Sequence, residues 1–265
     1  MRSLDRTLGT AVVTSIPVDG TWNAAPESLT LEHDEVHVWR MRLDMDAEHV
    51  QELYQTLSED ECVKVNRSPI DKVRRRIIGA RGMLRAILGG YLGIDPRLIR
   101  FRYGPGGKPA LAETSGTQAL RFNLSHSDNM ALCAIAMDSE VGIDIEYRWD
   151  GISILDIARR CFSRREIDEI ETLPENQRRE AFFNGWTRKE AYLKARGHGL
   201  GYGLGHFSVS LRAEGPAALL ENEREPEEVT RWRLEALTPH PDYTAAIAVE
   251  RHDWHLKCWE RSHHV

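Results

Sequence analysis

Val141-Gly142-Ile143-Asp144-Ile145-Glu146-Tyr147 alternates apolar and polar side chains with a period of two, the pattern of a β-strand buried on one face. Val141, Ile143 and Ile145 then point into a core, and Asp144 and Glu146 project together from the opposite face. Two adjacent carboxylates offer hard oxygen donors, half of what a divalent cation of the magnesium type requires. Acidic pairs at strand ends are also ordinary solvated surface, so the run alone leaves both readings open.

Further along, Phe183-Asn184-Gly185-Trp186-Thr187-Arg188-Lys189-Glu190-Ala191-Tyr192-Leu193-Lys194 places Trp186, Glu190 and Lys194 at steps of four, on one face of a helix. The bland reading is a surface ion pair worth ~0.2 to 0.5 kcal/mol. The functional one makes Glu190 a third metal ligand and Lys194 a phosphate contact. On the N-terminal side, Phe122-Asn123-Leu124-Ser125-His126-Ser127 is a strand entering a polar turn, where His126 can reach an anionic ligand or serve structure alone. Gly104-Pro105-Gly106-Gly107-Lys108-Pro109 is a loop with one cation at its tip that lacks the Walker pattern. Arg74, Arg81 and Arg85 form a basic helix face preceded by Lys64 and Arg67, a pattern that by itself describes a solvated surface.

Around these segments the elements fall into an order. Residues 1–34 mix Thr, Ser, Pro, Gly and acids without periodicity and read as an extension. A strand is expected at 35–41, a helix at 47–57, and a long helix at 70–91 that the following glycines end. Short strands follow at 98–103, 120–124, 130–137 and 141–147. Helices are then expected at 152–160, from Ser163, and at 174–196, with strands at 206–211, 232–237, 243–250 and 254–260. Strand, helices and antiparallel strands, stated twice, predict an α+β chain of two similar halves.

Composition bounds the function classes. The 265 residues are 41% hydrophobic and 29% charged, as in a globular protein able to bury its own core. A net charge of -6 argues against a nucleic-acid binder. No apolar run approaches the roughly 20 residues of a bilayer span, and Arg2, Asp5, Arg6 and Asp19 interrupt the N-terminus, so neither membrane nor signal segment is expected and the cytoplasm is the default compartment. Cys62, Cys133, Cys161 and Cys258 are widely spaced, as reduced thiols are.

Taken in order, GKPAL at 107–111, FNLSHS at 122–127, VGIDIE at 141–146 and WTRKEAYLKARGHGL at 186–200 resemble the 4'-phosphopantetheinyl transferases of the Sfp (surfactin synthetase-activating) type; Ile157-Ala158-Arg159-Arg160-Cys161-Phe162-Ser163-Arg164-Arg165-Glu166 looks like that family's linking helix. The resemblance spans roughly 36–250. It implies transfer of the 4'-phosphopantetheine arm of coenzyme A to a serine of an apo acyl or peptidyl carrier protein, with release of 3',5'-adenosine bisphosphate. It further implies Asp144, Glu146 and Glu190 as ligands of Mg2+, for which Mn2+ can substitute. His126 and Lys194 match phosphate contacts, Lys108 and Ser125 hold the nucleotide end, and Arg81 meets the 3'-phosphate. Lys64 and Arg67 correspond to upstream basic contacts, although Val63-Lys64-Val65-Asn66-Arg67-Ser68 lacks the aromatic residue usual there. Glu166 matches the residue that deprotonates the carrier serine, directly or through water, while Ser163-x-x-Glu166 is equally a capping box.

The implied fold is two similar α/β subdomains with a pseudo-twofold relation, 35–150 and 151–265, and the active site in the cleft between them. One chain then suffices for one site, which points to a monomer. Carriers of peptide synthetases, polyketide synthases and other secondary metabolism, fatty-acid synthases and lysine pathways are all compatible. Two alternatives stand beside this reading: a different Mg2+-dependent nucleotidyl or phosphoryl transferase, for which no nucleotide motif is visible, and a non-catalytic coenzyme A-binding module.

Overall fold

Alternation and capping set the elements, and long-range packing sets their neighbours. The computed structural model describes residues 22–112 and 120–261 of a mixed α+β chain. In order these are β1 (Asn23–Ala24), β2 (Glu35–Arg42), α1 (Ala47–Tyr54), α2 (Glu59–Asn66), α3 (Asp71–Leu92), β3 (Phe101–Tyr103), β4 (Pro109–Leu111), β5 (Leu120–Ser127), β6 (Met130–Met137) and β7 (Val141–Tyr147). There follow α4 (Ile154–Cys161), α5 (Arg164–Thr172), α6 (Glu175–Arg196), β8 (Phe207–Val209), β9 (Leu219–Asn222), α7 (Glu228–Arg231), β10 (Arg233–Leu237), β11 (Tyr243–Val249) and β12 (His255–Arg261).

The long helices and most expected strands are present, the strand expected at 98–103 beginning only at Phe101; β1, β4, β9 and α7 are additions, and so is α2. Its signal was a capping box, Ser58-x-x-Glu61, closed in the structure by both reciprocal bonds. The polar, charged sequence of α2 carries little apolar periodicity, so alternation and helical spacing assign no element there. Of the expected extension, residues 1–21 lie outside the described residues. The remainder is packed: β1 pairs with β12, and Leu29 and Leu31 lie against the first core.

Two sheets organise the molecule, one ordered β1-β12-β2-β6-β5 and the other β10-β11-β7. β12 runs parallel to β2, so the last strand joins the sheet begun near the N-terminus. β7 instead runs antiparallel to β11. Strand alternation builds the layers. Cys133 and Ile135 of β6 face α3, whose Leu84, Ile87 and Leu88 are fully buried there. Leu132 and Ala134 face the other way, onto Ile143, Ile145 and Ile247 of the second sheet. Ala246 and Ala248 on the far face of β11 join the core around α6. Each buried apolar face is thus covered by a neighbour, the condition for a layered domain.

Where the two sheets meet, β5 and β7 run side by side in the same direction without a backbone ladder. Side chains replace it. Asn123 Oδ1 accepts from Ile143 N at 2.9 Å, and Ser127 Oγ accepts from Tyr147 N at 3.1 Å. This seam satisfies backbone donors that a ladder would otherwise take. Among the described residues no helix is long and apolar enough to cross a membrane, and all four cysteines are free.

Candidate active site

The polar face of β7 is positioned by a glycine. At Gly142 a Cβ would stand 2.1 Å from Ala191 O and 2.2 Å from Ala195 N, so only glycine lets α6 press onto the strand. Ala191 and Ala195 each follow a charged residue of the helix, and the contact therefore sets Glu190 and Lys194 over Asp144 and Glu146. Lys194 Nζ lies 2.6 Å from Asp144 Oδ1. Trp186, one turn before Glu190, lies close enough to Glu146 to favour its charged form. The acids of the strand and the stepped residues of the helix are one constellation.

Its second wall is β5. Ser125 Oγ donates to Asp144 Oδ1 and Ser127 Oγ to Glu146 Oε2, each at 2.9 Å, while Lys194 also reaches Ser125 Oγ at 2.9 Å. Ser127 and Trp186 were not assigned roles from sequence. Their signal was available in the period of two of Ser125-x-Ser127 and in the i,i+4 step from Trp186 to Glu190, but neither identifies a partner on another element.

Charge crowding leaves a mark on the acids. Burial first, and then the charge of Asp144, raises the Glu146 carboxyl above its ordinary range. Glu190 is pushed up to about 7 by burial and then by Asp144, with Lys194 opposing and Glu146 adding. Asp144 Oδ2 and Glu190 Oε1 are both buried without a hydrogen-bond partner. Such orphaned acceptors are costly unless something electropositive completes them. Among the described residues, however, no three His, Cys, Asp or Glu side chains are gathered closely enough to form a ready metal cage. The donor set fits a hard divalent cation in chemistry, and Lys194 supplies positive charge at Asp144 Oδ1 beside it.

Cations gather beyond Lys194. The His126 pKa lies below its ordinary value, first by partial desolvation and then through Lys194, Arg81 and Arg76. Arg81, on α3, has Nη1 buried without a partner. Arg76 holds the turn after β5 by bonding Asp128 and Asn129; at Asp128 the backbone φ of 46° is left-handed. Arg76 was not singled out from sequence, since three consecutive arginines give no sign of which one faces the turn.

Other expected contacts are spent within the protein. Lys108 Nζ binds Glu140 Oε2 at 2.7 Å, Ala195 O at 2.8 Å and Val141 O at 3.0 Å, so it ties the glycine loop to the end of α6 and the start of β7. Gly106 closes that junction, a Cβ there standing 2.1 Å from Gly197 O. The basic face of α3 is not uniformly solvated: Arg85 is 1% exposed and pairs with buried Glu61 at 2.7 Å. Arg74 binds Asp71 and the Ser68 carbonyl. Lys64 lies over the Tyr103 ring, 4.3 Å from its centroid, and within 3.6 Å of Asp60. Arg67 is the C-cap residue of α2, and neither it nor Lys64 is brought into contact with the acids of β7.

Glu166 opens α5 with Ser163 in a closed capping box. It is 1% exposed, its Oε1 accepts from Val209 N at 2.9 Å, and its Oε2 accepts from Ser163 and pairs with Lys189 Nζ at 2.8 Å. Lys189 is itself fully buried and also donates to the carbonyls of Leu204 and Phe207. The geometry therefore gives Glu166 the duties of a cap and counter-ion.

Comparison with known proteins places these residues in a family context. Residues 140–248 match the model of the 4'-phosphopantetheinyl transferase superfamily, and residues 44–138 that of the 4'-phosphopantetheinyl transferase N-terminal region. The chain is 41% identical to the 4'-phosphopantetheinyl transferase HetI of Nostoc sp. over 239 residues, 90% of this chain and 98% of that one. It is 30% identical to the 4'-phosphopantetheinyl transferase Sfp of Bacillus subtilis over 175 residues, 63% of this chain and 75% of Sfp. A phosphopantetheinyl transferase of Thraustochytrium sp. is 29% identical over 211 residues, 74% of this chain and 71% of that one.

Proposed function

The chain belongs to the 4'-phosphopantetheinyl transferase superfamily, and from that premise we propose that it transfers the 4'-phosphopantetheine of coenzyme A to a serine of an apo acyl or peptidyl carrier protein, with Mg2+ held by Asp144, Glu146 and Glu190. The observation that carries the metal reading is the pair of buried, unpartnered oxygens, Asp144 Oδ2 and Glu190 Oε1, beside Glu146. Bound there, the ion would neutralise phosphate charge as it builds.

The chain's own residues do the rest. Lys194 and His126 face the pyrophosphate, and Arg81, whose Nη1 lacks a protein partner, takes the 3'-phosphate. The carrier serine oxygen attacks the β-phosphorus, the bond to the bridging pyrophosphate oxygen breaks, and 3',5'-adenosine bisphosphate leaves with that oxygen. Ser125 and Ser127 hold Asp144 and Glu146 in place by donating to them. The serine proton is assigned to Glu166 on the resemblance alone; its geometry supports the cap. Lys108 would contact the nucleotide through its loop, since its ammonium is engaged, and Lys64 and Arg67 remain outer basic contacts.

We read the fold as two similar subdomains, 35–150 and 151–265, after an extension at 1–34, with a pseudo-twofold relation and the site between them. The division of labour supports this: Asp144, Glu146 and His126 come from the first part and Glu190 and Lys194 from the second. A monomer is then sufficient. Four free cysteines suit the reducing cytoplasm, where we place the enzyme. Incubation with apo carriers, coenzyme A and Mg2+ should add the phosphopantetheine mass and release 3',5'-adenosine bisphosphate, and EDTA should prevent both. No mass gain on any class of carrier would sink the proposal.

A further inference from the structure

Lys194 stands in the last turn of α6, just before a run in which Gly197, Gly199, Gly201 and Gly203 occupy every second position. Glycine has the most freedom to lose, so such a run keeps one conformation only where side chains hold it. At its near end a Schellman turn closes the helix: Gly197 N donates to Lys194 O at 3.2 Å and His198 N to Leu193 O at 3.1 Å, with Gly197 at a left-handed φ of 68°. Toward its far end the loop is held by Tyr202, and Arg196 joins Tyr202 to the helix. Arg196 Nη1 donates to the hydroxyl of Tyr192, one turn back, at 3.0 Å, and the guanidinium lies over the Tyr202 ring, 5.1 Å from its centroid. Both terminal nitrogens also grip Glu225, and the Tyr202 hydroxyl donates to the same carboxylate at 2.8 Å. Glu225 is fixed in turn by Asn222, whose Oδ1 accepts from Glu225 N at 3.0 Å. The hydrogen bonds from Arg196 first, and then from Tyr202, hold the Glu225 carboxyl down at about 2, so it is charged around neutrality.

We propose that Arg196, Glu225 and Tyr202 form a clamp that fixes the last turn of α6 and thereby the direction in which Lys194 presents its ammonium to the coenzyme A pyrophosphate. This rests on the reading of Lys194 as a phosphate contact. The three are positioning residues: Arg196 lies about 200° around the helix from Lys194, on the face turned from the acids of β7. Gly142 and Lys108 hold the same turn from the strand side, through Ala195. The clamp opposes them, and the turn is gripped from both sides. A lysine on a four-carbon stem is aimed only as well as the backbone beneath it.

A double-mutant cycle on the full chain tests this, with coenzyme A kinetics measured on an apo carrier that the enzyme modifies. Arg196→Met should lower kcat/KM for coenzyme A about tenfold in the wild-type background and less than about twofold in Lys194→Met, which has no ammonium left to misplace. Amide exchange at Gly197 and His198 should quicken about tenfold in Arg196→Met, with the amides of 181–191 as protected as in the wild type. Equal losses in the two backgrounds would make Arg196 merely structural and overturn the clamp, as would wild-type kcat/KM in Arg196→Met. Should Arg196→Met not fold, Glu225→Gln and Tyr202→Phe each remove one arm of the clamp; each should cost about threefold with Lys194 present and nothing without it, and equal costs in both backgrounds overturn the clamp. Lys194→Met with wild-type kcat/KM overturns the phosphate reading and the clamp with it, whereas a disabled Lys194→Met beside additive losses overturns the clamp alone.

Discussion

Gly142 and Ala191 are so close that a methyl group on the glycine would overlap the alanine carbonyl, at 2.1 Å. The obstacle is helix backbone, which cannot rotate aside as a side chain does. Gly142→Ala should therefore push α6 away from β7, costing about 1 to 3 kcal/mol of stability and moving Glu190 and Lys194 off Asp144. Thermal melting and holo-carrier formation read the two effects. Wild-type turnover with unchanged melting would show that the helix position is not critical.

Glu190 is a half-buried carboxylate beside Asp144 and Glu146 whose Oε1 is buried without a partner. Glu190→Gln keeps the shape and removes the charge, so the metal-free protein should melt about 2 to 4 °C higher while carrier modification is lost. A lower melting temperature with retained activity would mark Glu190 as structural.

The buried pair of Glu166 and Lys189 alters what the Glu166→Gln substitution can mean. Gln preserves the capping box but leaves Lys189, which is fully buried, without its counter-ion, a loss of about 3 to 5 kcal/mol. Adding Lys189→Met should restore part of that stability. If the double variant, once folded, turns over as the wild type does, Glu166 is a cap and counter-ion; a residual kcat loss of ~10² to 10⁴ at unchanged KM for coenzyme A marks it as the base.

Arg81 offers a guanidinium nitrogen that no protein acceptor uses. Arg81→Met should weaken coenzyme A binding by about 1.5 to 3 kcal/mol and leave 3'-dephospho-coenzyme A nearly unaffected, as measured by calorimetry. Equal losses for the two ligands would place Arg81 away from the 3'-phosphate.

His37 is 2% exposed, with Nδ1 2.6 Å from Tyr91 Oη and Nε2 3.0 Å from Glu35. Trp39 Nε1 donates to the same hydroxyl, so the Tyr91 O–H donates to Nδ1 and Nε2–H donates to Glu35. Burial lowers the His37 pKa, with Glu35 opposing. The unfolded chain therefore takes up this proton first: the contribution is intact above pH ~6.5 and is lost as pH falls toward the folded value, at up to about 1.4 kcal/mol per pH unit. Denaturant unfolding between pH 7.5 and 5.5 should show a shallower loss in His37→Gln than in the wild type. Identical slopes would remove His37 from the acid response.

What the sequence determined is local. The period of two in Val141–Tyr147 fixed that Asp144 and Glu146 share a face, and the step of four fixed the same for Glu190 and Lys194, because each follows from the geometry of one element. Ser163 and Glu166 were legible as a capping box for the same reason. Tertiary structure alone decided which neighbour each face meets. Alternation says that a strand has a buried side, yet not that β7 pairs with β11, that β12 returns to β2, or that serines of β5 stand in for a ladder. Likewise the charges of Lys108, Lys189 and Arg85 were visible, and their partners Glu140, Glu166 and Glu61 were not. Secondary-structure geometry correlates residues only a few positions apart, whereas burial and charge pairing are settled between segments that the chain brings together once, on folding.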